Sequence, residues 1–125
     1  MFFFPKGINI LFIIFFSLFL VNFSFADQVK KKKKYYTESF KVWGNCGMCK
    51  SKIEDAALSL KGVRYARWNI STGILKVKFN AKHVEIIDIH QLIASIGYDT
   101  ELVKASDEDY NNLHYCCKYV REISN

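Results

Sequence analysis

Two thiols stand three residues apart in Trp43-Gly44-Asn45-Cys46-Gly47-Met48-Cys49-Lys50, with a thioether between them. The loop that carries them runs straight into a helical pattern. A C-x-x-C pair at the mouth of a helix suits two kinds of chemistry: holding a soft metal ion, or exchanging disulfides. The working species in both is the thiolate. Cys49 falls at or near the first helical turn, where free backbone N–H groups and the helix dipole favour negative charge. Lys50 and Lys52 add positive charge nearby. Two thiolates on such a loop can hold Cu(I) or Hg(II) nearly linearly, leaving space for an incoming sulfur and hence for handover.

Zn(II) asks for four ligands in a closed site. Cys116, Cys117, His114 and Met48 are the further candidate ligands. The tail cysteines reach the loop only if the C-terminus folds back over it. Four cysteines also allow three disulfide pairings, although the adjacent Cys116 and Cys117 do not readily bond to each other without strain. His83 and His90 have no partner in the sequence that would make them ligands.

The elements that must position these groups are legible in the hydrophobic period. Thr37 to Trp43 alternates and predicts a strand. Cys49 to Leu60 predicts a helix, with Ile53, Ala56, Ala57 and Leu60 on one face and Gly62 just past its end. Val63 to Ile70 predicts a second strand with Ala66, Trp68 and Ile70 on one side. Ser71-Thr72-Gly73 is a hairpin turn, and Leu75, Val77 and Phe79 alternate along a third strand. Glu85 to Ile96 predicts a second helix with a stripe of Ile86, Ile89, Leu92, Ile93 and Ile96. Thr100 to Lys104, carrying Leu102, predicts a short fourth strand. The order β-α-β-β-α-β gives an α+β, ferredoxin-like sandwich: a four-stranded antiparallel sheet with two helices on one face. A cysteine-containing tail, residues 106–125, follows; Asp107 to Tyr119 is expected to be helical.

The net charge of +6 is concentrated at one end. Five of the charges are Lys30 to Lys34, whereas Tyr35 to Asn125 carries 12 basic and 11 acidic residues. A near-neutral body has no electrostatic footprint for nucleic acid. Residues 1–26 read as a targeting segment, with Lys6 before a long apolar run and Ser24-Phe25-Ala26 as a cleavage site. The run is also long enough to stay as a membrane anchor. Residues 27–36 read as a lysine-rich linker, with contact between Lys30–Lys34 and anionic lipid as the alternative. These features predict an exported protein of the periplasm or cell envelope, or one anchored by its N-terminal segment. Residues 37–105 form the domain proper.

Residues Ser39 to Lys104 resemble the heavy-metal-associated domain family, which includes small copper chaperones, modules of metal-pumping ATPases and a periplasmic mercury-binding protein. The resemblance is carried by Val42-x-Gly44, the Cys46/Cys49 pair, Gly62-Val63, Thr72-Gly73 and Gly97-Tyr98. It implies that Cys46 and Cys49 bind Cu(I), with Hg(II) or Zn(II) as other cargoes. It also implies a metal-transporting membrane protein or another metal-binding domain as partner. The family's usual loop reads G-M-x-C-x-x-C; here only Asn45 separates Gly44 from Cys46, and the methionine is absent.

The alternative is an envelope thiol–disulfide oxidoreductase. Thioredoxin-like enzymes place a cis-proline beside their disulfide, and the only proline here is Pro5, inside the targeting segment. Paired carboxylates, a nucleophile elbow and a phosphate-binding glycine loop are all missing, so no hydrolytic machinery is visible. The expectation is a metal carrier, not an enzyme.

Overall fold

The computed structural model describes residues 34–122 together with Ile14 and Phe15. The targeting segment, its cleavage site and nearly all of the lysine run lie outside the described residues. Among those described, no helix is long and apolar enough to cross a membrane.

Three strands and two main helices follow one another in the predicted order: β1 Tyr36–Lys41, α1 Gly47–Ser59, β2 Val63–Trp68, β3 Ile74–Phe79 and α2 Ile86–Ser95. The strands form one antiparallel sheet in the order β1-β3-β2. Alternation sends Leu75, Val77 and Phe79 into the core and leaves Lys76 and Lys78 wet. The helices therefore share the single apolar face, where Ile53, Ala57, Ile89 and Ile93 meet the strand residues. A bulge between Val63 and Tyr65 in the β2–β3 ladder shifts the alternation by one, so Val63, Ala66 and Trp68 all point inward. At the start of α2 the Asp88 carboxylate accepts the Glu85 N–H at 2.9 Å, satisfying a backbone donor at the helix end.

The fourth strand is the first correction. It shrinks to a single bridge between Val42 and Thr100 on the outer side of β1. Two backbone bonds make it, Trp43 N–H to Asp99 O (2.9 Å) and Glu101 N–H to Lys41 O (2.9 Å). The chain then doubles back: Thr100 N–H reaches Val103 O at 2.8 Å, and Val103 N–H donates to the Thr100 hydroxyl at 3.0 Å. The sheet is thus three-stranded with a stub, and Leu102 is 64% exposed. Leu102→Lys is therefore expected to change the unfolding free energy by no more than about 0.5 kcal/mol; a urea titration checks it, since a core leucine would cost about 2–5 kcal/mol.

His90 secures that stub. Its ring is buried, lies 3.8 Å from the Phe40 ring by centroids, and holds the Thr100 hydroxyl at 2.7 Å. Burial keeps this imidazole neutral by lowering its pKa. His83 is exposed.

Two further expectations change. Ile70 lies beyond the end of β2 and is 47% exposed. The Asn69 side chain accepts the Ser71 and Thr72 N–H groups, so the hairpin turns from Asn69 and carries Ile70 outward. The tail is not one helix over Asp107–Tyr119. It forms α3, Asp107–Asn111, capped by Ser106, then a 3-10 turn, Tyr115–Cys117, and an extended return. Asn111 and Asn112 are weak helix formers in succession, and His114 is already extended (φ −56, ψ 144).

Candidate metal centre

Cys46 occupies the N-cap of α1 in extended conformation, and its carbonyl accepts the first helical bond from Lys50 N–H at 3.0 Å. The helix thus begins earlier than expected, and Cys46 instead of Cys49 faces its open N–H groups. Burial pushes the Cys46 thiol up, but the Cys49 and Met48 N–H groups and the Cys49 and Cys117 thiols outweigh that. They lower it to about 7, even though no regular side-chain capping bond forms. Cys49 is fully buried in the core, and burial raises its thiol. Its S–H donates to Asn45 Oδ1 at 3.2 Å. The Cys46 and Cys49 sulfurs are 3.3 Å apart.

The lysines do not help as expected. Lys52 is exposed, and the Lys50 ammonium pairs with Glu54 and the Trp68 carbonyl. Glu54 in turn accepts Trp68 N–H at 2.8 Å, so this trio ties α1 to the end of β2. Burial alone would raise the Glu54 carboxyl; the Lys50 ammonium and the Trp68 N–H lower it instead.

Beneath the loop lies Trp68. Its indole is fully buried and donates to Val42 O at 3.1 Å. A Cβ placed on Gly44 would stand only 3.0 Å from the ring, so the loop can settle onto the indole only because residue 44 lacks a side chain. Trp68 fills the space under a loop that carries no methionine before its first cysteine.

The tail does fold back. Cys117 is buried with its sulfur 4.0 Å from that of Cys46, and Cys116 lies 3.9 Å from Cys117. The sulfurs of Cys46, Cys116 and Cys117 all lie within 4.8 Å of one another. At the rim, Cys116 Sγ meets Met48 Sδ at 3.8 Å and His114 Nδ1 at 3.1 Å. All six candidate ligands are thus gathered at one end of the fold. The cysteines are free thiols.

Three groups absent from the list of candidates hold this arrangement. Tyr119 is buried, and its hydroxyl donates to Gly97 O at 2.9 Å while accepting Asp99 N–H at 2.7 Å. Arg121 grips Asp99 with two bonds, at 2.9 and 2.7 Å, and reaches the Ala105 carbonyl. Tyr98 is fully buried in the same cluster as Cys49 and Cys117, and its hydroxyl has no hydrogen-bond partner. The alternation of Cys117, Tyr119 and Arg121 with Lys118 and Val120 is the sequence signal that marks the extended return.

A model of the heavy-metal-associated domain matches residues 45–99. A zinc-transporting ATPase of Synechocystis is 39% identical over 71 residues, covering 56% of this chain and 10% of that protein. The copper chaperone CopZ of Staphylococcus aureus is 33% identical over 55 residues, 44% of this chain and 81% of that protein. The chain belongs to the heavy-metal-associated domain family. It spans only a small part of the ATPase and most of the chaperone. Among solved structures, a CopZ metallochaperone superposes with TM-score 0.51 at 32% identity, covering 52% of this chain and 98% of its own. Oxidized MerP from Ralstonia metallidurans superposes with TM-score 0.52 at 20% identity, covering 54% of this chain and 94% of its own, a likeness of fold alone. The heavy-metal-associated match ends at residue 99, so Cys116, Cys117, Tyr119 and Arg121 lie outside it.

Proposed function

We propose that this protein carries a soft metal ion, Cu(I) foremost, as cargo on Cys46 and Cys49 and passes it to a metal-transporting membrane protein or another metal-binding domain. The observation that carries this reading is Cys46 at the N-cap of α1, its thiol lowered to about 7 by the N–H groups it faces, with the Cys49 thiol adjoining it. Soft sulfur donors select Cu(I), Hg(II) or Zn(II) over hard cations. The chain's similarity to a copper chaperone and to part of a zinc-transporting ATPase supports the same class of cargo. Each thiol that binds releases its proton to solvent. Nothing in this chemistry needs turnover, so the protein is a carrier, not an enzyme. The N-terminal apolar segment supports a place in the cell envelope, exported or anchored.

The test is an anaerobic competition against a Cu(I) chelator with the full chain in mild detergent. Stoichiometric binding is expected in the unaltered chain, and at least about 100-fold weaker binding in Cys46→Ser/Cys49→Ser. Second-sphere partners alone account for about 10–100-fold at metal sites. Unchanged affinity in the double variant sinks the reading. Insulin-reducing activity without copper binding points instead to an envelope thiol–disulfide oxidoreductase.

A further inference from the structure

The spacing of the four sulfurs is uneven, and the unevenness bears on where an ion would sit. Sulfurs each about 2.3 Å from one ion stand about 4.6 Å apart if it is two-coordinate and linear. They stand about 4.0 Å apart if it is trigonal, and about 3.8 Å if tetrahedral. The Cys46–Cys49 separation of 3.3 Å is short for all three. The Cys46–Cys117 and Cys116–Cys117 separations are 4.0 and 3.9 Å, and the third edge closes within 4.8 Å.

An independent observation points to the same place. Tyr98 is fully buried, and its hydroxyl is the only buried side-chain N or O without a hydrogen-bond partner among the described residues. Tyr98 belongs to the same buried cluster as Cys49 and Cys117. A buried orphan donor needs a reason, and an anionic sulfur supplies one: a metal-bound thiolate accepts a hydrogen bond better than a neutral thiol does.

The tail holding Cys116 and Cys117 is fastened by the Tyr119 and Arg121 bonds described above, with Asn45 Nδ2 reaching Lys118 O at 3.4 Å. These bonds place Cys116 and Cys117 over the loop.

We infer that Cys116 and Cys117 are metal ligands which, with Cys46, close a three-thiolate site over the open Cys46/Cys49 pair, so that a d10 ion is retained by the chain's own tail. The inference rests on the assignment of Cys46 and Cys49 as the soft-metal pair. Cys46 is common to both sets and serves as the pivot on which the ion moves from the open pair to the closed triad. An incoming partner sulfur must displace a tail thiolate before it can take the ion, so the tail sets the rate of handover and biases the protein toward sequestration.

The test uses the full chain in mild detergent, loaded with one equivalent of Cu(I) under nitrogen. X-ray absorption at the copper edge counts the sulfur neighbours. Transfer to a competing dithiol chelator gives the release rate. Three sulfurs are expected in the unaltered chain and two in Cys116→Ser/Cys117→Ser, with release at least about tenfold faster, since changes in affinity fall mainly on dissociation. Cys117 is buried, so Cys116→Ser alone serves as the second variant; it should also drop to two sulfurs while keeping its far-UV circular dichroism. Two sulfurs in the unaltered chain, or an unchanged sulfur count in Cys116→Ser, overturns the inference and leaves the Cys46/Cys49 assignment standing. Absence of copper binding in the unaltered chain overturns both.

Discussion

Trp68→Ala is expected to lower the unfolding free energy by about 4 kcal/mol, within the range for truncating a large aromatic in a core. Three losses combine. The indole is fully buried, its N–H satisfies the Val42 carbonyl, and its six-membered ring is the floor on which Gly44 rests. Thermal unfolding should shift down by about 15 °C or more. The metal loop should suffer as well, because Val42 and Gly44 lead into Cys46. Cu(I) affinity is expected to fall about tenfold even though no ligand is removed. Trp68→Phe separates the contributions. It keeps most of the ring, loses the bond to Val42, and should cost about 1–3 kcal/mol. A loss below about 1.5 kcal/mol in Trp68→Ala would mean that the loop does not depend on the indole.

Arg121→Ala should cost about 3 kcal/mol, the low end of the range for breaking a buried ion pair because the guanidinium keeps some contact with water. Asp99 is buried and would be left as a carboxylate with only the Ala105 N–H. The pH dependence has a definite sign. Burial by itself would raise the Asp99 carboxyl, but the Arg121 guanidinium and the Ala105 N–H prevail and hold it below the ordinary carboxylate range. A group depressed in the folded state stabilises above its unfolded pKa, and that contribution disappears as pH falls through the folded value. The gap between the unaltered chain and Arg121→Ala should therefore be widest near pH 7 and narrow below about pH 4. Urea titrations at several pH values measure it. A gap that stays constant to pH 3 would show that Arg121 acts by packing alone, and Arg121→Lys should fall between the two because a lone ammonium cannot grip both carboxylate oxygens.

The strand and helix order was legible in the sequence because each core element carries a clean period of two or between three and four, closed by its own stop signal. Leu75, Val77 and Phe79 point where alternation says they should, as do Ile89 and Ile93. The fourth strand was misjudged because Leu102 and its neighbours look like a half-buried strand, while the Thr100 hydroxyl competes for the backbone and turns the chain after one bridge. The α3 segment began at the expected residue, Asp107, but stopped early. Ser106 and the three acidic residues after it mark its start, whereas its end falls at the weak helix formers Asn111 and Asn112, ahead of the expected Tyr119.

The candidate site divides in the same way. Cys46 and Cys49 were legible from three-residue spacing, and Cys116 and Cys117 from their reactive type. Which cysteine faces the helix N-terminus was not legible, because it turns on a two-residue shift in the helix start, from Cys49 to Gly47. Alternation marks the extended stretch that carries Tyr119 and Arg121, but the partners these two find, and the place of Tyr98, arise from tertiary contacts that no local pattern encodes. Gly97 shows how closely these are fitted. Its φ of +103 turns the chain out of α2, and a Cβ there would meet the Asp109 carbonyl at 2.7 Å, so the same missing side chain that ends the helix makes room for the docked tail.

Cys46 and Cys49 are local neighbours, yet Cys117 reaches Cys46 across 71 positions of sequence. Ribosomes add about 5–20 residues per second, so about 3–13 seconds separate the synthesis of Cys49 from that of Cys116. The nascent protein passes through a stage in which its sulfur pair is bare to whatever soft ions or oxidants surround it, and maturation covers that pair only when the segment around Cys116 and Cys117 arrives.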